Sequence, residues 1–276
     1  MMTRQEKIEK LIAEGREFMR PSNVEEGNLI ENYQSDQELK KPQPMLFKKA
    51  KGGKEIKLPK EFKQLEMKND ILEVLYKRKS SRIYADKKMS LLQLSFLLWA
   101  QQGVKSIYGE HYATIRTVAC GGARHEFECY IAVLNVEGLE EGFYHYLPKH
   151  HSIELLEART PIADMVSQSL CDQKWSKKSN VVFYYSVIPY RAEWRYGIWA
   201  HRTALIDAGH ITQNLYLACA ATGIGTCAIA SLLEKESNQM FEIDGKEEFI
   251  FYAATAGMLI QEDEDDHDFQ KFMSEC

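Results

Sequence analysis

The sequence has no apolar run approaching the roughly 20 residues needed to cross a bilayer. Its opening stretch, MMTRQEKIEKLIAEG, is charged and lacks the apolar centre of a secretory leader, so a cytoplasmic protein with no membrane partner is expected. Positive charge is not in excess either. Lys and Arg number 35 against 40 Asp and Glu, a net charge of −5 that argues against a general nucleic-acid partner. The six cysteines (Cys120, Cys129, Cys171, Cys219, Cys227 and Cys276) include no C-x-x-C pair and none beside a His at zinc-finger spacing, so no metal is expected. Scattered thiols of this kind serve mostly as small buried apolar residues. There is no G-x-G-x-x-G opening a helix after a strand, no G-x-x-x-x-G-K-[ST] and no G-x-S-x-G, which removes the dinucleotide fold, the P-loop and the serine-hydrolase elbow.

What is present is a chain of 276 residues, 45% apolar, which suffices for a core without disulfides. Residues 1–65 hold an amphipathic start (Ile8, Leu11, Ile12, Phe18) and a stretch, KKPQPMLFKKAKGGKEIKLPK, without sustained period. They read as an arm lying on the body or on a partner subunit. Residues 66–262 read as one domain and 263–276 as an acidic tail. Within the domain, Asn69 or Asp70 caps the helix DILEVLYKRKS, and Ser90 caps LLQLSFLLWAQQG, which ends at Gly103. CYIAVLNV, GFYHYLP, SIELL, TCAIA and EFIFYAATAGM read as strands, and the continuous apolar run VVFYYSVI as a central one. Pro161 opens the helix PIADMVSQSLC, and SLLEKESNQMF is another. The longest helix, about 201–222, is apolar almost all round, which suits a core or a subunit interface. Helices and strands alternate without a strict βαβ rhythm, so the fold class is α+β.

Three segments carry candidate chemistry. Lys77, Arg78, Lys79, Ser80, Ser81 and Arg82 end one helix; such a cluster either holds a phosphate or simply decorates a helix C-terminus that favours cations. Cys120, Gly121, Gly122, Ala123, Arg124, His125 and Glu126 form either a loop that lets a flat ligand approach the backbone or an ordinary glycine turn. Cys120 is the one thiol singled out, and His125 beside Glu126 is no zinc motif. The third, Gly223 to Ala230, is accounted for by helix termination alone.

The order of these segments resembles the nitroreductase-like flavoprotein family, nearest its SagB-type dehydrogenase and thiazoline-oxidase branch. The likeness runs over about residues 65–260 through RKSSR, LLQLSFLLWAQQG, TVACGGARHE, EGLEEGFYHY and LIDAGHITQNLYLACAATGIGTCAI. It implies a three-layer sandwich, a mixed and mainly antiparallel sheet flanked by helices, in an intertwined homodimer. It also implies FMN in a cleft shared by two subunits, with NAD(P)H as co-substrate. Carried over by position, Arg78, Lys79 and Ser80 hold the phosphate and ribityl chain, and Arg82 approaches the ring edge, where a fixed cation stabilises reduced flavin. Cys120, Gly121, Gly122, Ala123 and His125 lie along the cofactor, Ala228, Ile229, Ala230 and Ser231 face the ring, and His201 and Arg202 reach towards it. The chemistry is assigned to the flavin, with Cys120 as the one candidate catalytic side chain. The chain departs from the family at Ala119-Cys120, where Pro-Ser is usual, at Glu126, where Pro is usual, and at the acidic GMLIQEDEDD, where a basic residue follows the last strand.

Three functions follow from the resemblance. The first is ping-pong reduction of an electron-poor small-molecule acceptor, a nitroaromatic or quinone. The second is dehydrogenation of thiazoline or oxazoline rings in a peptide substrate. The third is a non-catalytic flavin-binding or scaffold role on the same fold.

Overall fold

The computed structural model describes residues 2–20, 33–260, 271 and 273, and all that follows concerns these. The acidic tail expected over 263–276 lies outside them apart from residues 271 and 273. An N-terminal helix, α1 (Arg4–Met19), opens with a reciprocal capping box between Thr3 and Glu6. Next come β1 (Glu55–Lys57), α2 (Ile71–Lys77), α3 (Leu91–Gln102), β2 (Val104–Tyr108), β3 (Ala113–Arg116), β4 (Phe127–Val133), β5 (Gly142–Leu147) and β6 (Ser152–Ala158). The remainder is α4 (Ala163–Ser169), β7 (Val181–Val187), α5 (Tyr190–Tyr196), α6 (Ala200–Ala221), β8 (Ile224–Ile229), α7 (Glu234–Met240) and β9 (Phe249–Met258).

Seven strands form one sheet in the order β1-β6-β5-β4-β7-β9-β8, while β2 and β3 make a separate hairpin. Every strand pair is antiparallel; parallel contact is confined to two isolated bridges, Ser80 to Thr226 and Met89 to Val136. The apolar run VVFYYSVI becomes β7, buried along its whole length between β4 and β9. Because side chains alternate across a strand, the sheet feeds two cores. Phe127, Cys129, Ile131, Phe183 and Tyr185 meet α3 and α6 through Leu94, Leu97, Ile211 and Leu215. Tyr130, Ala132, Val182 and Tyr184 meet Ile162, Val166, Met240 and Phe241 on the opposite face. The result is an α+β molecule with a sheet between two helical layers.

Capping explains where two helices start. The Asp70 carboxylate accepts from the Leu72 N–H at the head of α2, and Ser90 and Gln93 cap α3 reciprocally. Pro161 stands just ahead of α4 rather than inside its first turn. The long helix α6 buries Ala208, Ile211, Leu215, Ala218 and Cys219, while Leu205 and Ile206 on its other side are 45% and 55% exposed.

Of the segment read as an arm, residues 33–58 pack on the body and supply the first sheet edge. Glu154, wholly buried on β6, accepts from the N–H groups of Lys51, Gly52 and Gly53 at 2.9, 2.5 and 2.7 Å. Trp194 donates its indole N–H to the Lys41 carbonyl at 3.0 Å, and Lys48 reaches Tyr130 and Glu248 inside the sheet layer. Beside β1, Ser95 and Tyr146 hydrogen-bond the two ring nitrogens of His151, each at 2.8 Å.

Candidate functional site

The other sheet edge is β8, and the basic segment after α2 is laid along it. The Ser81 N–H donates to the Thr226 carbonyl at 2.8 Å, with Ser80 bridging the same residue. Gly225 permits this approach: a Cβ there would stand 2.9 Å from Ser81 Cβ and 2.5 Å from a Leu259 methyl. Tyr216 of α6 closes the corner. Its hydroxyl lies 2.8 Å from Ser80 Oγ and accepts the Ala228 N–H at 3.0 Å, while the Arg78 guanidinium sits 5.4 Å from its ring centre. Arg82 turns to the opposite face of the sheet, 5.7 Å from the ring centre of Trp175, so two guanidiniums flank one strand edge. Arg78 is half-buried, and Ser80 and Arg82 are exposed. This arrangement sets two guanidiniums and a hydroxyl around one strand edge, groups whose chemistry suits charge-assisted bonds to an anion. Ala228 is half-buried, Ile229 is buried in the second core, and Ala230 and Ser231 emerge exposed beyond the strand.

The second segment is built differently. Gly121 fits under α6, where a Cβ would stand 2.4 Å from a Thr203 methyl, and its N–H donates to Asp207 at 2.9 Å. Gly122, Ala123 and His125 take left-handed conformations, at φ 55°, 53° and 46°. Arg124 is buried between the rings of Tyr112 and Trp194 and donates to the carbonyls of Gly122 and Tyr112, both at 2.9 Å. The His125 imidazole is buried against the Thr114 carbonyl at 3.2 Å; burial, then the Arg116 charge, pulls its pKa down to about 3, so it stays neutral. Arg191 fixes the end of this loop through the His125 carbonyl at 3.1 Å and also pairs with Glu128 at 2.6 Å. Glu128 in turn pairs with His145 at 3.0 Å; burial opposes its charge, but these partners hold its carboxyl well below the usual range.

Cys120 is half-buried, with Sγ 3.3 Å from both Glu126 and Asp207. Burial and those two carboxylates push the thiol pKa far up, and burial with Asp207 raises Glu126 to about 7. A thiol held protonated is a poor nucleophile.

The predicted site residues therefore fall into two groups. Arg78, Ser80 and Ala228 converge on Tyr216 at one end of α6, with Arg82 across the strand. Cys120 and Gly121 meet Asp207 nearer the other end, where the half-buried Arg202 also lies. Nine residues of helix separate Tyr216 from Asp207, about 14 Å at 1.5 Å per residue. Tyr216, Trp175 and Asp207 were not singled out from the sequence. Asp207 carried a signal, the single acid of its helix with Leu205, Ile206 and Ala208 beside it, and such residues are buried only with partners.

An antiparallel sheet between helical layers, with a cationic loop seated across its edge strand, defines an α+β sandwich. The nitroreductase family profile matches residues 75–258. The chain belongs to the nitroreductase family, a family of oxidoreductases. A protein named as a nitroreductase in Methanocaldococcus jannaschii is 29% identical over 190 residues, covering 68% of this chain and 90% of that one. The trifolitoxin-processing protein TfxB of Rhizobium leguminosarum bv. trifolii, of the SagB-like branch, is 29% identical over 164 residues. That match covers 58% of this chain and 42% of TfxB, so the chain spans less than half of that relative. Among solved structures, a nitroreductase-type protein from Ralstonia eutropha shares the fold at a TM-score of 0.61 and 23% identity, covering 80% of this chain and 95% of the other. No helix among the described residues is long and apolar enough to cross a membrane.

Proposed function

We propose that this protein is a cytoplasmic, FMN-dependent oxidoreductase that uses NAD(P)H to reduce an electron-poor small-molecule acceptor of nitroaromatic or quinone type in a ping-pong cycle. The observation that carries it is the loop of residues 78–82, fixed on the β8 edge with Arg78 and Ser80 on one side and Arg82 on the other. The donor set fits FMN. Arg78, Lys79 and Ser80 suit its phosphate, Arg82 suits the anionic edge of the reduced ring, and Gly225 gives the loop its close seat. FMN held there by Arg78, Lys79, Ser80 and Arg82 would supply the hydride and electron-transfer chemistry that no side chain of this chain provides. The chain binds, orients and holds compensating charge. Tyr216 keeps Ser80 in place and ties it to the Ala228 N–H.

A homodimer belongs to the same reading. The loop at 120–123 and the loop at 78–82 attach about 14 Å apart on α6. Pairing two chains would bring the loop at 120–123 of one against the loop at 78–82 of the other. Ile71, Leu72 and Leu75 of α2 are 60%, 51% and 51% exposed, and with Leu205 and Ile206 they supply apolar surface for such pairing. The test is a visible spectrum of the purified chain, then anaerobic addition of NADPH. Flavin bands that bleach on addition are expected; a chain that stays colourless after incubation with FMN overturns the reading.

A second reading, dehydrogenation of azoline rings in a peptide substrate, is favoured by the similarity to TfxB, whose name describes trifolitoxin processing. Oxidation of a thiazoline-containing peptide by the flavin-loaded chain, faster than reduction of any quinone, would put this reading first.

A further inference from the structure

We propose that Cys120, Glu126 and Asp207 form a binding site for one divalent transition-metal ion, zinc by its chemistry. Its thiol belongs to the loop at 120–123 that the flavin reading places along the cofactor, and metal binding is read out separately from flavin binding. One donor atom from each of the three residues lies within 4.8 Å of the others, and Glu126 and Asp207 are only 1% and 2% exposed. One oxygen of Glu126 touches the Cys120 sulfur, while Glu126 Oε1 is buried without any hydrogen-bond partner among the described residues. Two buried carboxyls set against each other and a thiol are costly to ionise together, and a cation between them removes that cost.

The spacing is already that of a coordination shell. Tetrahedral zinc, with Zn–S near 2.3 Å and Zn–O near 2.0 Å, sets sulfur and oxygen about 3.5 Å apart. The observed separations from Cys120 Sγ are 3.3 Å to Glu126 and 3.3 Å to Asp207. One thiolate with two carboxylates suits a borderline-soft ion, and the half-buried side of Cys120 leaves a direction for a fourth ligand. The outer partners that orient metal ligands are also in place. The His125 N–H donates to Cys120 Sγ at 3.0 Å, the Gly121 N–H to Asp207 Oδ2 at 2.9 Å, and His210 Nδ1 lies 3.3 Å from Asp207 Oδ1. With zinc bound, three anionic ligands leave one net negative charge, and the buried guanidiniums of Arg116 and Arg124 are close enough to interact with that of Cys120. Sequence spacing hid the site because Asp207 comes 87 residues after Cys120. Such an ion would clamp a loop rich in left-handed residues onto α6.

The experiment uses the full chain, freed of metal with a chelator and titrated with cobalt(II), then with zinc(II) as competitor. One cobalt per chain is expected, with a sulfur-to-cobalt charge-transfer band in the difference spectrum and release of about two protons, from thiol and carboxyl, near neutral pH. Zinc should abolish the band and raise the melting temperature. Cys120→Ser should remove the band, and Glu126→Gln, which preserves shape, should weaken binding by more than the roughly 10–100-fold typical of losing an outer partner. Cys171→Ser, an exposed thiol elsewhere, should behave as the unaltered chain. Failure to bind stoichiometric cobalt, a band surviving in folded Cys120→Ser, or unchanged affinity in Glu126→Gln would overturn the proposal.

Discussion

The two edges of the sheet are finished in opposite ways. At β1 the edge is closed from outside the domain core, by a strand whose flanking N–H groups converge on the buried Glu154 and whose neighbour His151 is hydrogen-bonded through both ring nitrogens. At β8 the edge is covered by a short loop with one backbone bond to Thr226, and its charged ends stay accessible. An unpaired strand edge invites pairing with other chains, so both must be managed. The difference teaches that one edge is fastened by many bonds while the other is covered lightly and leaves charged groups exposed, as the proposed flavin site requires. Damage to the first should therefore appear in unfolding, and damage to the second in binding.

The largest effect is expected at the closed edge. Glu154→Ala leaves three N–H groups without their acceptor and should cost about 3–5 kcal/mol in denaturant unfolding, given ~1–3 kcal/mol for each unsatisfied group and partial relaxation. A loss below about 1 kcal/mol would break the comparison at its strongest point. At the open edge, Arg78→Ala should leave the unfolding midpoint nearly unchanged while weakening FMN retention about 10–100-fold, the worth of one charge-assisted contact at ~1.5–3 kcal/mol. Equal losses of stability and binding would contradict the division of labour.

The next prediction concerns pH. Burial, followed by the nearby Lys60 charge, lowers the His151 pKa to about 4. A depressed histidine stays neutral in the folded chain, so its stabilising contribution is full above the unfolded value near 6.5 and is lost as pH falls towards 4. Stability measured at pH 7 and pH 4.5 should differ by an extra ~1–3 kcal/mol relative to His151→Gln. An identical pH slope in the variant would show that His151 contributes nothing to it. The smallest effect belongs to Tyr216→Phe, which removes one hydroxyl and leaves the Ala228 N–H without that acceptor. FMN affinity should fall by a few fold, roughly 1 kcal/mol, as measured by fluorescence titration.

Much of the architecture was legible because local signals and tertiary demands agree. The Ser90 cap, the unbroken apolar run of β7 and the extent of α6 all stand where caps and periodicity put them. The β2–β3 hairpin was not legible, since four of the five residues of β2 are exposed and it has no apolar alternation. Nor was β1, three residues long and defined only by its pairing with β6. Sheet order is a further loss: β8 precedes β9 in the chain yet lies outside it. At the site, the donor types in the 78–82 loop could be read, but Tyr216 could not, because 136 residues separate it from Ser80. Side chains that matter through a distant partner leave little local trace.

The length of α6 has a mechanical consequence. Asp207 and Tyr216 stand nine residues apart, two and a half turns, so they project from opposite sides of one rigid rod. The rod sets both the span and the phase between the two loops it carries. A single residue inserted between these positions would rotate one attachment by about 100° relative to the other. Either the Asp207 hold on Gly121 or the Tyr216 hold on Ser80 would then come out of register, with every side chain of both loops still in the sequence.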